Sequence, residues 1–446
     1  MKRLYWTITS VTAVGFLATG NGSAQAKRTQ DTLSQRSPYD RLNTVWIIGA
    51  DPQSDSLRET KSRAVDLYAS TVKRGFQQSG VPNFLISDRT NRAVFGIGGS
   101  VSVRTSYDWD NAVQNRDFIP YDIPMQGTPA DRQALRMDVS ASRLFFKTIV
   151  QSRPLGPIES YIEADFRGEN HVLRLRQAYL SFKGLTFGQT VTTFADLRSV
   201  PRTIDVQGPN AYTYRRNLMI RYHRPIGPHW ELAVAAEMPT LSATPPASEA
   251  AYTLPQRVPD IPLYVQYNWN EGRSHLRASG LLRTMHYYDD VASRTRVETG
   301  WAAMLSGRIA VGRKIDIFGQ IVYGEGIGNY LQDLDGNGYD LVAAPNRPGR
   351  LQTLPIMGWL AGLRYSFARD WQTNVAYSQV SVWDKADYFA QAPETYRLSQ
   401  YVVGNLFYNI FPAFQVGVEY LYGMRKNADH RIGFAHRAQL LVQFNF

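Results

Sequence analysis

Cysteine is absent from the 446 residues of this chain, which excludes disulfide bonds, thiolate metal sites and cysteine nucleophiles. The seven His are scattered without the H-E-x-x-H spacing of a zinc site, and neither a P-loop nor a dinucleotide-binding glycine motif occurs. The sequence therefore predicts no cofactor and no metal centre.

One short segment has the beginning of a calcium loop. Asp333, Asp335, Asn337 and Gly338 follow the D-x-D-x-N-G spacing, but Ala344 occupies the position where such a loop needs a bidentate Glu. We therefore interpret the segment as a turn-forming loop rich in Asp, Asn and Gly, with weak calcium binding as the alternative.

Long apolar runs are also scarce. The longest follows Lys2 and Arg3 and ends before an A-Q-A motif at residues 24–26. This arrangement is typical of an export signal cleaved after Ala26, so we predict a signal peptide over residues 1–26. An N-terminal membrane anchor is the alternative, although no stretch reaches the roughly 18 apolar residues that a spanning helix needs.

Lysine is scarce among the basic residues. Of 49 Lys and Arg only nine are Lys, and the 38 Asp and Glu leave a net charge of +11. Arginine suits planar, bidentate contacts with carboxylate or phosphate groups better than lysine does. Because the basic residues are spread along strand-like segments and form no patch, nucleic acid is not predicted as a partner.

From about residue 93 to residue 446 the sequence breaks into segments of about ten residues that alternate apolar and polar side chains. Alternation with period two is the pattern of β-strands, and we count sixteen segments. Short turns alternate with longer connections, as in bacterial outer-membrane barrels; the longest connections are residues 108–134, 191–213, 238–260, 325–355 and 384–396. The predicted fold is all-β: a 16-stranded antiparallel transmembrane β-barrel over residues 93–446, surrounded by outer-membrane lipid. A soluble β-sandwich is the less favoured alternative.

Residues 27–92 lack this alternation and form a predicted N-terminal periplasmic extension. Within it, residues 56–78 are predicted to be helical, since Ser56 and Glu59 have the spacing of a capping box. A narrow apolar stripe recurs at every fourth residue: Ala64, Tyr68, Val72 and Phe76. The stripe predicts packing on the barrel or association with the same helix of neighbouring subunits; a flexible lead-in is the alternative.

In a barrel of this kind one face of each strand meets lipid and the other meets the interior. The polar faces carry more arginine than acid, and the arginines predicted to line the interior are Arg104, Arg174, Arg176, Arg215, Arg221, Arg277 and Arg283. Glu163 and Asp165 fall on the same interior, whereas Tyr179 falls on the outward face. We predict an arginine-lined, water-filled lumen that prefers anions; bracing of the wall by arginine–carboxylate pairs is the alternative role.

The connection over residues 191–213 is the third external loop by count. Its size and place resemble the constriction loop of sixteen-stranded porins, and its charged residues are Asp196, Arg198, Arg202 and Asp205. If the loop folds inward, these charges are expected to face the basic wall and create a transverse field that orients dipolar solutes. An ordinary solvated loop is the alternative.

Several runs between residues 135 and 225 resemble DcaP-like porins. They are Y-I-E-A-D-F at 161–166, L-R-L-R-Q-A-Y at 173–179, F-G-Q-T at 187–190, T-F-A-D at 193–196, Val200-Pro201, Thr203-Ile204-Asp205, Gly208-Pro209-Asn210 and Arg221-Tyr222. This resemblance implies a homotrimeric outer-membrane channel for small anionic solutes, dicarboxylates in the best-known member, with an N-terminal helical extension that assists trimer formation. It implies a carboxylate-binding role for Arg174, Arg176 and Arg221.

Passive transport of small solutes is thus the predicted function, without enzymatic activity, and two alternatives remain. An outer-membrane hydrolase would need a nucleophile near His171, His223 or His275, and no G-x-S-x-G context accompanies these residues. A plugged structural barrel would need bulky interior side chains, whereas the predicted interior carries small residues such as Ser100, Ser102, Ser140 and Ser142.

Overall fold

The computed structural model describes residues 45–48, 56–71, 78, 81–82, 84–246 and 250–446. The predicted signal peptide over residues 1–26 lies outside the described residues. No helix within the described residues is long and apolar enough to cross a membrane.

Sixteen antiparallel strand positions close into a barrel, which confirms the predicted fold class. The wall strands, numbered in chain order, are β3 (Ala93–Trp109), β4 (Gln133–Asp138), β5 (Arg143–Ser152), β6 (Gly156–Asp165), β7 (Arg174–Phe182), β8 (Leu185–Val191), β9 (Arg216–Ile226), β10 (Trp230–Glu237), β13 (Ile261–Trp269), β14 (Ser274–Asp289), β15 (Arg294–Val311), β16 (Ile315–Glu325), β19 (Pro355–Tyr365), β20 (Trp371–Val382), β21 (Tyr396–Phe411), β22 (Phe414–Asn427) and β23 (Ile432–Asn445). β4 and β5 share one wall position, because both pair with β3. The barrel closes where β23 pairs with β3, with Phe444 opposite Val101.

Short strands and two α-helices accompany the wall in the described part of the chain. They are β1 (Val45–Ile48), β2 (Phe84–Asp88), β11 (Ala243–Thr244), β12 (Ala251–Thr253), β17 (Leu341–Ala343), β18 (Leu351–Gln352), α1 (Ser56–Ser70) and α2 (Tyr388–Gln391). Single turns of 3-10 helix lie at Pro120–Asp122, Pro129–Asp131, Glu169–His171 and Gly328–Tyr330. All of these except β1, β2 and α1 belong to the connections between wall strands.

The two ends of the barrel differ in the length of their connections. At one end, here called the short-turn end, Lys183 and Gly184 alone join β7 to β8, and both have positive φ angles, 45° and 83°. Such a two-residue loop matches the twist of the flanking strands, and glycine adopts it without strain. The opposite, long-loop end carries the extended connections, including residues 110–132, 192–215, 238–260 and 326–354.

Side chains alternate between two environments along the wall strands, because successive residues of a β-strand point to opposite faces. In β14, Leu276 and Leu282 are exposed on the outer face, whereas Arg277 and Arg283 are buried inside. Leucine, isoleucine and valine recur on the outer face, as expected for a surface that meets lipid. Aromatic pairs border this apolar belt: Trp371–Tyr408 and Trp230–Tyr267 at the short-turn end, and Trp301–Tyr323 and Trp109–His436 at the long-loop end.

A bulge shifts the inward face of β7 by one residue. It lies at Arg176 and leaves both Arg176 and Gln177 buried. Beyond it Tyr179 points inward, and its hydroxyl lies 3.3 Å from a Glu159 carboxylate oxygen. The prediction that Tyr179 faces outward is therefore wrong, since a bulge adds one residue to a strand and reverses the alternation. The turn at residues 139–142, which lies between β4 and β5, likewise interrupts the alternation along the chain.

Two loops from the long-loop end fold into the barrel and fill the side of its interior between β14 and β21. They are loop L3 (residues 192–215) and loop L6 (residues 326–354). Their side chains and those of the wall form one buried apolar cluster, which includes Phe194, Ile327, Tyr330, Leu331 and Leu334 from the loops and Leu281, Met304, Val322, Ile356 and Val380 from the wall. The side between β5 and β9 is polar instead, with buried Glu163, Asp165, Arg176 and Gln177.

β1, α1 and β2 form a small β-α-β unit at the short-turn end. β1 runs parallel to β2, and β2 pairs antiparallel with β3. α1 packs into a buried cluster composed of Val45, Ala64, Val65, Tyr68, Leu85, Val94 and Ile149. The helix predicted over residues 56–78 corresponds to α1, which ends at Ser70; Val72 and Phe76 lie outside the described residues.

Candidate solute pathway

L3 crosses the interior of the barrel and is tied to the wall opposite the strands that carry it. Near its beginning, Asp196 lies 2.7 Å from the His275 ring and accepts a hydrogen bond of 2.8 Å from Ser306. Near its middle, the backbone N–H groups of Ile204 and Asp205 donate to Glu419, both at 2.7 Å. These contacts join L3 to β14, β15 and β22, so the loop narrows the space inside the barrel.

The two acids of L3 lie against the wall. Asp196 and Asp205 are buried, and Asp205 accepts hydrogen bonds from the backbone N–H of Phe118 and the hydroxyl of Tyr401, both at 3.1 Å. The transverse-field hypothesis needs both carboxylates to face an open lumen, whereas both are buried in contacts with neighbouring residues. Both acids act as tethers of the loop.

Their environments displace the two pKa values in opposite directions. Burial, with the charge of Asp117, raises the pKa of Asp205 to about 6. Burial also opposes ionisation of Asp196, but the charge of Arg277 and the bonds from His275 and Ser306 hold the pKa of Asp196 below its usual value.

A polar cavity of about 370 Å³ lies between L3, L6 and the wall strands β5 to β9. We call it the arginine cavity. It is lined by Asp117, Arg143, Arg167, Arg174, Arg176, Val206, Gln207, Tyr212, Tyr214, Arg215, Arg216, Gln332 and Asp335. Six guanidinium groups face two carboxylates here, so the cavity has an excess of positive charge.

Part of this charge is neutralised by acids beside or behind the arginines. Arg174 donates to both oxygens of Asp165, at 3.0 and 2.8 Å. Arg176 binds Glu163 at 2.6 Å and Asp165 at 2.8 Å, and Arg215 lies 2.5 Å from Asp335. Counting Glu163 and Asp165 with the lining residues leaves six positive charges against four negative ones.

Two arginines have weak acidic pairing: Arg143, which lines the cavity, and Arg202, which lies outside its lining but close enough to Arg143 for the two charges to interact. Arg143 lies 3.8 Å from Glu163, beyond hydrogen-bonding distance. Arg202 is exposed on L3 with its guanidinium group 4.8 Å from the Phe407 ring centre, and no described carboxylate pairs with it. Although Arg202 keeps solvent contact, the protein around it inside the barrel removes part of its hydration, and this desolvation together with the charge of Arg143 lowers the pKa of Arg202 to about 10, so it remains protonated at neutral pH. Guanidinium groups in such surroundings are able to form charge-assisted hydrogen bonds with carboxylates or phosphates.

The other predicted lumen arginines brace the protein. Arg104 pairs with Asp138, and Arg221 donates to the Thr193 hydroxyl at 2.7 Å. The remaining two are Arg277, which donates to Gln266 and to the Ala195 carbonyl, both at 2.8 Å, and Arg283, which lies 3.0 Å from both Asp260 and Asp340. Of the seven predicted arginines, three thus line the arginine cavity: Arg174, Arg176 and Arg215. In L3, Arg198 donates to the Gly272 carbonyl at 2.5 Å.

Two lining arginines, Arg143 and Arg216, are missed by the sequence prediction. Arg143 follows the turn at residues 139–142, so simple alternation does not place it inside. Arg216 directly follows Arg215, and both line the cavity because the backbone before β9 is irregular. Arg167 is not among the seven named arginines, but it follows Glu163 and Asp165 at every second residue, and this alternation predicts that it faces the interior.

The segment with partial calcium-loop spacing is bound by the protein itself. Asp333 accepts hydrogen bonds from the Tyr396 hydroxyl at 2.7 Å and from the Tyr121 backbone N–H at 2.9 Å. Asp335 pairs with Arg215. Within the described residues, no group of three or more His, Asp or Glu side chains is arranged to hold a metal ion.

A barrel whose outer belt meets lipid, while an inward loop and charged side chains line its interior, belongs to the porin class of bacterial outer-membrane channels. Within the porin class, the sequence identifies the family. A family model described as DcaP outer membrane protein matches residues 77–446, so the chain belongs to the DcaP family and is located in the bacterial outer membrane.

Solved structures share the barrel fold. The outer membrane channel DcaP of Acinetobacter baumannii has a TM-score of 0.69 and 21% sequence identity, over 79% of this chain and 97% of that chain. An anion-selective porin from Comamonas acidovorans has a TM-score of 0.52 and 10% identity, over 79% of this chain and 100% of that one. Pseudomonas putida OprB has a TM-score of 0.52 and 11% identity, over 79% of this chain and 94% of that one. No curated protein matches the chain.

Proposed function

We propose that this channel gives passive, anion-preferring diffusion of small solutes such as dicarboxylates, and that it catalyses no reaction. The observation that carries the proposal is the pair Arg143 and Arg202 beside a cavity that already holds more arginine than acid. An anion entering the cavity gains attraction from both guanidinium groups, whereas a cation is repelled. A dicarboxylate can engage two arginines at once through bidentate hydrogen bonds.

L3 serves in this proposal as the constriction loop. Its tethers to His275, Ser306 and Glu419 hold it across the interior, and Arg202 is its exposed charge. The buried acids Asp196 and Asp205 fix the loop and do not line the arginine cavity. Anion preference then arises from the excess of arginine alone.

The two alternative functions have weaker support. Of the three histidines that a hydrolase could use, His275 is fully buried against Asp196, whereas His171 and His223 keep solvent contact but have no G-x-S-x-G context. A plugged structural barrel is supported by the apolar cluster of L3 and L6, yet this cluster occupies one side of the interior and the arginine cavity occupies another. Passive diffusion on the polar side is compatible with both observations.

The test is the reversal potential of the purified protein in a planar bilayer with a KCl gradient, repeated with succinate, phosphate and a neutral sugar. We expect anion selectivity and a block by succinate. In the double variant Arg143→Gln/Arg202→Gln, two charges each worth about 0.5–1 kcal/mol to a nearby ion in water are lost. The anion-to-cation permeability ratio should then fall roughly fivefold.

Arg224→Gln is the matched control, because Arg224 is exposed and alternates with the inward-facing Arg221 and His223 on β9. It should leave the ratio unchanged. Cation selectivity of the wild type, or the same ratio in the double variant and the wild type, contradicts the proposal.

We also propose a homotrimer, on the basis of family membership. Mass measurement of the detergent-solubilised protein with and without a short amine cross-linker tests this assembly. A species of three chains is expected, and a monomer at all protein concentrations contradicts it.

A further inference from the structure

α1 lies on the inner side of the barrel wall at the short-turn end. On β3, Val94 and Gly96 belong to the same alternating set as Ser102 and Arg104, which point into the barrel. α1 packs on this inner surface, since its residue Tyr68 is fully buried in a cluster with Val94. The helix therefore occupies space that the open mouth of the barrel would otherwise leave to solvent.

The position of α1 is fixed by a glycine in the wall. A Cβ atom at Gly96 would lie 2.5 Å from the Tyr68 ring, so the ring occupies the space that any other residue at this position would fill. The Lys147 ammonium group of β5 lies 4.7 Å from the centre of the same ring, within the range of a cation–π contact. Tyr68 is thus held by the wall on two sides.

Gln78, the next described residue after residues 56–71, also contacts the inner wall. The Gln78 side-chain amide donates hydrogen bonds to Glu159 of β6 and to the Tyr179 hydroxyl of β7. Together, Tyr68 and Gln78 contact β3, β5, β6 and β7, which are four neighbouring positions of the sixteen in the wall.

The charges of this region differ from those of the arginine cavity. Lys147 and Glu159 lie 3.6 Å apart and have opposite charges. On α1, Arg63 pairs with Glu59 at 3.2 Å on the exposed side of the helix. With Arg58, Lys61 and Asp66 of α1 counted as well, the region has four positive charges against three negative ones, an excess of one compared with two at the arginine cavity. It therefore offers anions less attraction than the arginine cavity does.

We propose that α1 is a second constriction of the channel, located at the short-turn end, which limits the size of solutes and contributes little to charge selection. This inference rests on the proposed function, since it needs solute to pass through the barrel. It assigns size selection to the N-terminal unit and charge selection to the arginine cavity.

The absence of cysteine from the chain makes a reversible cross-link possible. In Tyr68→Cys/Gly96→Cys the ring that anchors α1 is removed, and a short bis-methanethiosulfonate can join the two new thiols and restore the contact. We expect the uncross-linked variant to conduct KCl about twofold better than the wild type, because conductance follows the open cross-section. Cross-linking should return the conductance to the wild-type level, reductant should reverse this effect, and the permeability ratio should stay constant.

Gly96→Val provides a second way to displace the helix while Tyr68 is retained, and it should raise conductance in the same direction. Arg63→Ala is the control, because this side chain is 63% exposed and pairs only on the helix surface. Current in the wild type that neither variant nor cross-link changes overturns the second constriction and leaves the anion channel intact. An increase in current that is confined to the uncross-linked variant supports the second constriction. No current in any form overturns both proposals.

Discussion

Between β14 and β21 the interior of the barrel is packed with loop residues, whereas between β5 and β9 it holds the arginine cavity. Arginine is abundant on both sides, but it has different surroundings. Arg283 is fully buried with Asp260 and Asp340 as partners, while Arg174 keeps 44% of its side chain exposed beside Asp165. The same residue type is thus a bridge between loops on one side and part of a solvated surface on the other.

The difference teaches how to separate structural from functional arginines in a barrel of this kind. A buried charge is tolerated only where partners surround it, so its removal mainly affects stability. An exposed charge contributes little to stability, because solvent screens its ion pairs, and it remains available to a passing ion. Stability and selectivity should therefore respond to different sets of arginines.

Arg283→Met is expected to lower the free energy of unfolding more than any other substitution considered below. Arg283 donates to Asp260 and Asp340, and also to the carbonyl oxygens of Gly326 at 2.6 Å and Thr240 at 2.5 Å. Its loss leaves two buried carboxylates without their cation, which costs about 3–5 kcal/mol. We expect a large fall in the thermal unfolding midpoint in detergent, followed by circular dichroism.

Arg174→Met is the matched control on the polar side. Its ion pair with Asp165 is partly exposed, so the expected loss is about 1 kcal/mol or less. Equal losses of unfolding free energy in the two variants would contradict the distinction between the packed side and the solvated side.

Asp205→Asn tests the tether of L3 through pH. Because burial raises the folded-state pKa of Asp205 to about 6, folding favours its protonated form. The resulting stabilisation is fully present below the ordinary pKa of 3.8 and is lost as the pH rises through about 6. Relative to Asp205→Asn, the wild type should lose about 2–3 kcal/mol between pH 4 and pH 7.

The measurement is the unfolding midpoint of both proteins at pH 4, 5, 6 and 7. Taking the difference between them removes the contribution of other acids, such as Asp196, whose pKa is shifted in the opposite direction. Parallel pH profiles for the two proteins would show that Asp205 is not the titrating tether.

The fold follows from the sequence because lipid on one side and a polar interior on the other impose strict alternation. Leu276 and Arg277 show this pattern in the first residues of β14. Tyr179 is placed wrongly because the bulge at Arg176 has no mark in composition or spacing. Local irregularities of this kind depend on pairing with the neighbouring strand, which single-strand patterns do not contain.

The site is only partly predictable for a related reason. Arg174, Arg176 and Arg215 are found by alternation, whereas Arg143 is hidden behind the turn at residues 139–142. In L3 the sequence identifies the charged residues but not their directions. Asp196 is turned to the wall by His275 on β14, a contact between residues 79 positions apart that no local pattern encodes.

Asp335→Asn is the smallest expected change and the finest test of the comparison. Asp335 keeps 43% of its side chain exposed and pairs with Arg215 across the arginine cavity, so its loss should change the free energy of unfolding by less than about 1 kcal/mol. The excess of positive charge in the cavity nevertheless rises by one. We therefore expect the reversal potential to shift toward the value for a channel that conducts only anions. The control is Asp370→Asn, because Asp370 is an exposed acid at the short-turn end, away from the arginine cavity. If both substitutions shift the potential equally, net charge and not its position in the cavity controls selectivity.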